Sequence, residues 1–170
     1  MKLRKLMCVI IVAVVAGLVV GCSTDGEKQS IINQFTADFE ADYKDMTVRG
    51  EIVAGVHGYT KVNITYPETV EGLNVAYKNG EMEIGMKSLL STADEAYLPQ
   101  ESLPAIMHSV FNGLSVAKEE VAQNDEEFIT YTTELAQGRC VLKVDKYGYL
   151  TQAQIKEQDV VISFFNHMAT

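Results

Sequence analysis

The sequence predicts a mainly β (α+β) fold: a curved antiparallel half-barrel of about ten strands, with a short N-terminal helix and one mid-chain helix on the concave face. Three observations predict it. Most of residues 46–86 and 128–165 carry apolar side chains at every second position, the period of a half-buried strand. Short turn signals separate these runs, and sequential hairpins favour a meander. One segment, residues 102–114, switches to helical spacing with its apolar residues on one side. A strongly twisted sheet of this size tends to curl. A helix with one apolar side must bury it on that sheet.

The elements follow in order. Residues 27–35 read as a short helix, with Ile31, Ile32 and Phe35 on one side. Residues 39–43 form a weak strand. Met46, Val48 and Ile52 point one way on the next, opposite Thr47, Arg49 and Glu51. Gly55-Val56-His57-Gly58 is a turn. Val62, Ile64 and Tyr66 alternate cleanly until Pro67, which cannot donate to a ladder. Leu73, Val75 and Tyr77 make the next strand. Asn79-Gly80 is a type I′ hairpin signal, and Met82, Ile84 and Met86 share a face after it.

Residues 88–100 lack a strand period and read as a long connection. Ser102 can cap a helix and Pro104 sits in its first turn, where a missing N–H costs little. Leu103, Ile106, Met107, Val110, Phe111 and Leu114 follow at helical spacing, with Gly113 near the stop. Residues 116–122 return to a strand that runs into an Asn124-Asp125 turn. Ile129, Tyr131 and Leu135 mark another strand, and Gln137-Gly138 turns. Cys140, Leu142 and Val144 alternate before the turn at Lys146-Tyr147-Gly148. Tyr149, Thr151, Ala153 and Ile155 share the next strand. Residues 160–165 are apolar on both faces, which places that strand inside the sheet.

The N-terminus divides the chain further. Lys2, Arg4 and Lys5 precede an apolar run, residues 6–20. As a helix this run spans roughly 22 Å, short of the roughly 30 Å hydrocarbon core, and it has the length of a signal-peptide core. The alternative is an ordinary N-terminal transmembrane anchor. Leu18-Val19-Val20-Gly21-Cys22 resembles the lipobox of bacterial lipoproteins. The resemblance implies that the peptide is cut before Cys22, whose thiol carries a diacylglycerol. The expected organisation is a removed leader at 1–21, a lipidated tether at 22–28 and a single domain at 29–170. The membrane is then a partner through the N-terminal lipid, on the extracytoplasmic face of the cell membrane.

Charge excludes one class of partner. The chain has 14 basic and 23 acidic residues, and losing the leader leaves 11 against 23. Nucleic acid phosphates would be repelled. With Cys8 in the leader and Cys22 in the lipobox, Cys140 stands alone, so no disulfide framework forms. Cys140 reads as a small core residue rather than a nucleophile. His57, His108 and His167 show no metal-ligand spacing. The acidic groups Glu119-Glu120 and Asp125-Glu126-Glu127 lack the alternating ligands of a calcium loop and read as a solvated edge. No cofactor is implied, and no phosphate loop or nucleophile elbow points to an enzyme.

Residues 28–165 resemble the lipoprotein-carrier superfamily: the periplasmic carrier LolA, its receptor LolB, and LolA-like lipoproteins of Gram-positive bacteria. Three stretches carry the resemblance: Phe35-Thr36-Ala37-Asp38-Phe39, Val62-Asn63-Ile64-Thr65-Tyr66-Pro67-Glu68-Thr69-Val70-Glu71-Gly72-Leu73, and Tyr77-Lys78-Asn79-Gly80-Glu81. It implies an incomplete barrel lidded by helices over an apolar cavity. The carrier holds its lid with an early-strand arginine, and Arg49 stands on an early strand here. The mid-chain helix is then either plain core or a lid that admits acyl chains. On the second reading Met82, Ile84, Met86, Leu103, Ile106, Met107, Val110 and Phe111 line the site for a lipid or other apolar ligand. The alternative is a dry-cored envelope domain that binds a protein partner or senses envelope state.

Overall fold

The computed structural model describes residues 30–119 and 127–169. The leader, Cys22, the tether and the Asn124-Asp125 turn lie outside the described residues. No described helix is long and apolar enough to cross a membrane.

The described strands form one antiparallel sheet. They are β1 (Phe35–Tyr43), β2 (Met46–Ala54), β3 (Thr60–Tyr66), β4 (Leu73–Lys78), β5 (Glu81–Met86) and β6 (Leu89–Asp94), then β7 (Lys118–Glu119), β8 (Phe128–Leu135), β9 (Gly138–Asp145), β10 (Leu150–Ile155) and β11 (Val160–Ala169). The spatial order is β6-β5-β4-β3-β2-β1-β11-β10-β9-β8-β7. Two meanders thus join back to back where β1 pairs with β11. The apolar strand at 160–165 does lie inside the sheet, as its two-faced pattern requires.

Among the described residues one α-helix, α1 (Leu103–Gly113), packs on this sheet. It touches β3 on one flank and β8 on the other. Those strands are separated by β2, β1, β11, β10 and β9. Laid flat, at about 4.8 Å per step, they would stand roughly 29 Å apart, whereas a helix is about 10 Å across. The sheet therefore wraps around α1, and the predicted curl is present.

The core follows the sequence period. Phe35, Ala37, Phe39 and Ala41 point inward from β1, Cys140, Leu142 and Val144 from β9, and Val160, Ile162 and Phe164 from β11. Ile106, Met107 and Val110 of α1 are fully buried against them. Val75, Tyr77 and Met82 form a second, smaller cluster under β4–β6, hereafter the wing.

Four expectations need correction. Residues 30–34 are not helical, and Phe35 already belongs to β1; residues 27–29 lie outside the described part. Phe35 is fully buried because it continues the period-two row of β1, while Ile31 and Ile32 pack on the core from an irregular segment tied by Ile32 N–H to Gly148 O at 2.8 Å. The connection at 88–100 contains β6 and a single 3-10 turn, Glu95–Tyr97. Its residues are mostly exposed at a sheet edge, so no buried face imposed an alternation to read. Residues 114–116 form another 3-10 turn and β7 is only Lys118–Glu119, with 120–126 outside the described residues. On β10 the pairing slips between Leu150 and Gln152, so Leu150, Ala153 and Ile155 share the inner face. A bulge of this kind breaks the alternation on which the sequence reading relied.

Candidate functional site

The site is best built from α1 outward. Ser102 stands at the N-cap with extended backbone, but its hydroxyl makes no cap bond. Polar side chains from the surrounding elements hold the helix instead. Tyr43 at the end of β1 donates to Glu101 O at 2.6 Å. Gln137, in the β8–β9 turn, donates through Nε2 to Gln100 O at 3.0 Å and to Ser109 Oγ at 3.1 Å. His108 faces the wing: its ring stacks on Tyr77 at 4.2 Å, and Nδ1 lies 3.2 Å from Thr60 Oγ1. Gly113 lets the helix end close on β8, where a Cβ would meet Leu135 and Thr133.

The eight sequence-selected lining residues separate into two groups. Leu103, Ile106, Met107, Val110 and Phe111 belong to the main core. Met82 and Ile84 belong to the wing cluster, and Met86 is half-buried at the end of β5. Among the described residues Leu73 packs against both clusters, and the Tyr77–His108 stack also bridges them. The sheet-facing side chains Ile106, Met107 and Val110 of α1 are fully buried.

Around the helix ends the surface is concave. One cleft of about 240 Å³ lies by Gly55, His57, Tyr59 and Asn112. Another, of about 330 Å³, opens between α1, the Glu95–Tyr97 turn, Tyr77 and the β8–β9 turn. The second cleft spans the seam between the wing and the other edge of the sheet. Sequence reasoning passed over its residues: Tyr77 was one position in an alternating row, Gln137 a turn residue and His108 an isolated histidine. The available signal was His108 and Asn112, four residues apart on the polar side of an otherwise apolar helix.

The remaining candidates fall elsewhere. Arg49 points away from α1, bonded to Glu40 Oε2 at 2.6 Å and lying over the Tyr66 ring, so it does not hold the helix. The reason is register: Arg49 pairs opposite Glu40, on the outward face of β1 and β2. His57 sits in the tight turn after β2, and His167 bonds Leu150 O at 2.8 Å beside the Phe35 ring. Among the described residues no three His, Cys, Asp or Glu side chains are grouped to hold a metal. Cys140 is fully buried, and burial pushes its thiol up to about 12. A thiol so placed stays protonated and inert at neutral pH. Burial lowers the His108 pKa, with Glu95 opposing more weakly.

No family model and no curated protein matches the chain. Solved structures do. An uncharacterized conserved protein from Thermus thermophilus shares 8% identity at a TM-score of 0.53, over 83% of this chain and 80% of that one. This likeness shows the fold alone. A LolA superfamily protein from Nitrosomonas europaea shares 11% identity at 0.43, over 83% and 87%. A DUF1329 family protein from Desulfovibrio piger shares 10% at 0.42, over 81% and 85%.

Proposed function

We propose that the chain is a non-catalytic bacterial lipoprotein, anchored through Cys22 on the extracytoplasmic face of the membrane, whose domain takes a lipid or other apolar ligand between the concave sheet and α1. The observation that carries this reading is an amphipathic helix, the one α-helix among the described residues, enclosed by a wrapped sheet. The wing beside it has its own small core. Parting α1 from the concave sheet would expose its Met107 side, which is buried in the main core.

The test uses the full-length protein in dodecyl maltoside. A co-purifying lipid-sized mass by native mass spectrometry, or saturable uptake of a fluorescent fatty acid, supports the reading. Met107→Gln should then weaken uptake at least fivefold, since it places an amide on the ligand-facing side. A bare protein mass together with no uptake overturns it.

One observation favours a second reading, a dry-cored domain with a protein partner in the envelope. Leu89 and Leu90 on the edge strand β6 are 76% and 67% exposed. An open strand edge with apolar side chains is a pairing surface. The same bare mass would favour this reading.

A further inference from the structure

The seam cleft holds an observation that neither reading uses. Two of its walls are buried polar side chains with unmet hydrogen-bond capacity. Tyr77 is 2% exposed, and its hydroxyl has no partner among the described residues. Gln137 is 7% exposed; its Nε2 serves Gln100 and Ser109, whereas its Oε1 has no partner among the described residues. Leaving such groups unpaired costs about 1–3 kcal/mol each; both atoms lie below the accessible surface, so a ligand in their common cleft gains by turning them outward into pairing. Both line the same space of about 330 Å³.

The chemistry of that space selects the ligand. Its charged wall residues are Asp94 and Glu95, and no Lys or Arg lines it. Asp94 is occupied in accepting from Ala96 N–H at 2.9 Å. Glu95 is held close enough to act on both Tyr77 and His108. His108 is neutral in this setting: Asn112 Nδ2 lies 3.0 Å from Nε2, which leaves Nδ1–H to donate to Thr60. The cleft thus offers an amide oxygen, a phenol oxygen and a carboxylate, and no counter-charge of its own. A donor-rich cation satisfies all three; an anion could take only the Tyr77 O–H and would meet the Glu95 carboxylate with no cation to hold it.

We propose that this cleft binds a primary ammonium group, its N–H bonds received by Gln137 Oε1 and the Tyr77 hydroxyl oxygen, with the Glu95 carboxylate as counter-charge. The group belongs either to a lipid headgroup or to a free small amine. The site is a rim site outside the main core, so it stands whether or not an apolar ligand enters beneath α1. An occupant would join the wing to α1 and the β8–β9 turn.

The experiment is calorimetric titration of the full-length protein in dodecyl maltoside. The probes are ethanolamine and dihexanoyl-phosphatidylethanolamine, with choline and dihexanoyl-phosphatidylcholine as controls that keep the charge and lack N–H donors. Binding of a primary-ammonium probe, with the matching choline probe at least about tenfold weaker, is the expected result. Binding by both primary-ammonium probes identifies a free amine as sufficient; binding by the lipid alone identifies a headgroup. Glu95→Gln should lose about tenfold and Tyr77→Phe about fivefold. Tyr77→Phe should fold at least as well as wild type, because the hydroxyl it removes has no partner. Three results overturn the proposal: no primary-ammonium probe binding below about 10 mM, equal binding of the choline probes, or unchanged affinity in both variants.

Discussion

The main core and the wing are built from the same kind of strand, yet they are stabilised differently. Beneath α1, side chains from β1, β2, β3, β9, β10 and β11 meet those of the helix, and most are fully buried. The wing buries Val75, Tyr77 and Met82 with partial help from Leu73, Ile84, Ala93 and Leu98. Its outermost strand, β6, is exposed along nearly its whole length. The difference teaches where this molecule can open. Three strands with a small apolar cluster sit beside a thick core, and the stack of Tyr77 on His108 ties them to α1.

The sharpest test of that contrast is truncation on each side. Ile106→Ala removes fully buried volume from the main core and should cost about 3–4 kcal/mol of global stability in urea unfolding. Met82→Ala, in the wing, should cost about 2 kcal/mol by the same measure, the low end for a buried methionine, because the thinner cluster collapses around the gap. It should also speed amide exchange in β4–β6 while leaving β1 and β11 protected. Equal losses with uniform exchange would mean that wing and core unfold as one unit.

Next in size is Gly50→Ala. A Cβ at Gly50 would run into the Asn63 carbonyl and the Phe39 ring, where β2 and β3 change register. The neighbouring atoms include backbone and cannot swing aside, so a loss of about 3 kcal/mol is expected by thermal or urea unfolding. Gly113→Ala meets the flexible end of Leu135 first and should cost about 1 kcal/mol. If the two losses were equal, the tight strand crossing would not be what Gly50 serves.

Cys140 reports the main core without perturbing it. Its burial and raised pKa predict negligible labelling by iodoacetamide at pH 8 in the folded protein and fast labelling in urea. Digestion after Arg139 and Lys143 isolates this thiol for mass spectrometry. Labelling that tracked wing opening rather than global unfolding would contradict the separation of the two clusters.

What was legible in the sequence follows the same division. Strands with one buried face announce themselves, so Cys140, Leu142 and Val144 on β9 or Val62 and Ile64 on β3 could be read directly. The helix was equally clear, because five of its apolar residues share one side. β6 was invisible, since backbone pairing with β5 forms it and no side-chain pattern records that. Phe35 misled because an apolar residue spaced after Ile31 and Ile32 fits a helix, while its partners Ala54 and Ala169 lie far along the chain. The seam cleft was beyond reach for the same reason: Tyr77, His108 and Gln137 are brought together only by the wrapped sheet.

The smallest effect concerns the tie between wing and helix. His108 faces Tyr77 from β4, Thr60 from β3, Asn112 from its own helix and Glu95 from the adjoining turn. Burial lowers its pKa below the ordinary 6.5. Above about pH 7 the ring is neutral in folded and unfolded chains alike, and its contribution to stability is constant. As pH falls through about 6.5, the unfolded chain takes up the proton first, and stability declines until the pH passes the lowered folded value. Subtracting the urea stability of His108→Gln from that of wild type isolates this dependence. The difference should be flat from pH 8 to 7 and turn against wild type on further acidification. A difference that instead grew in favour of wild type would mean that imidazolium pairing with Glu95, and not the neutral stack on Tyr77, holds α1 to the wing.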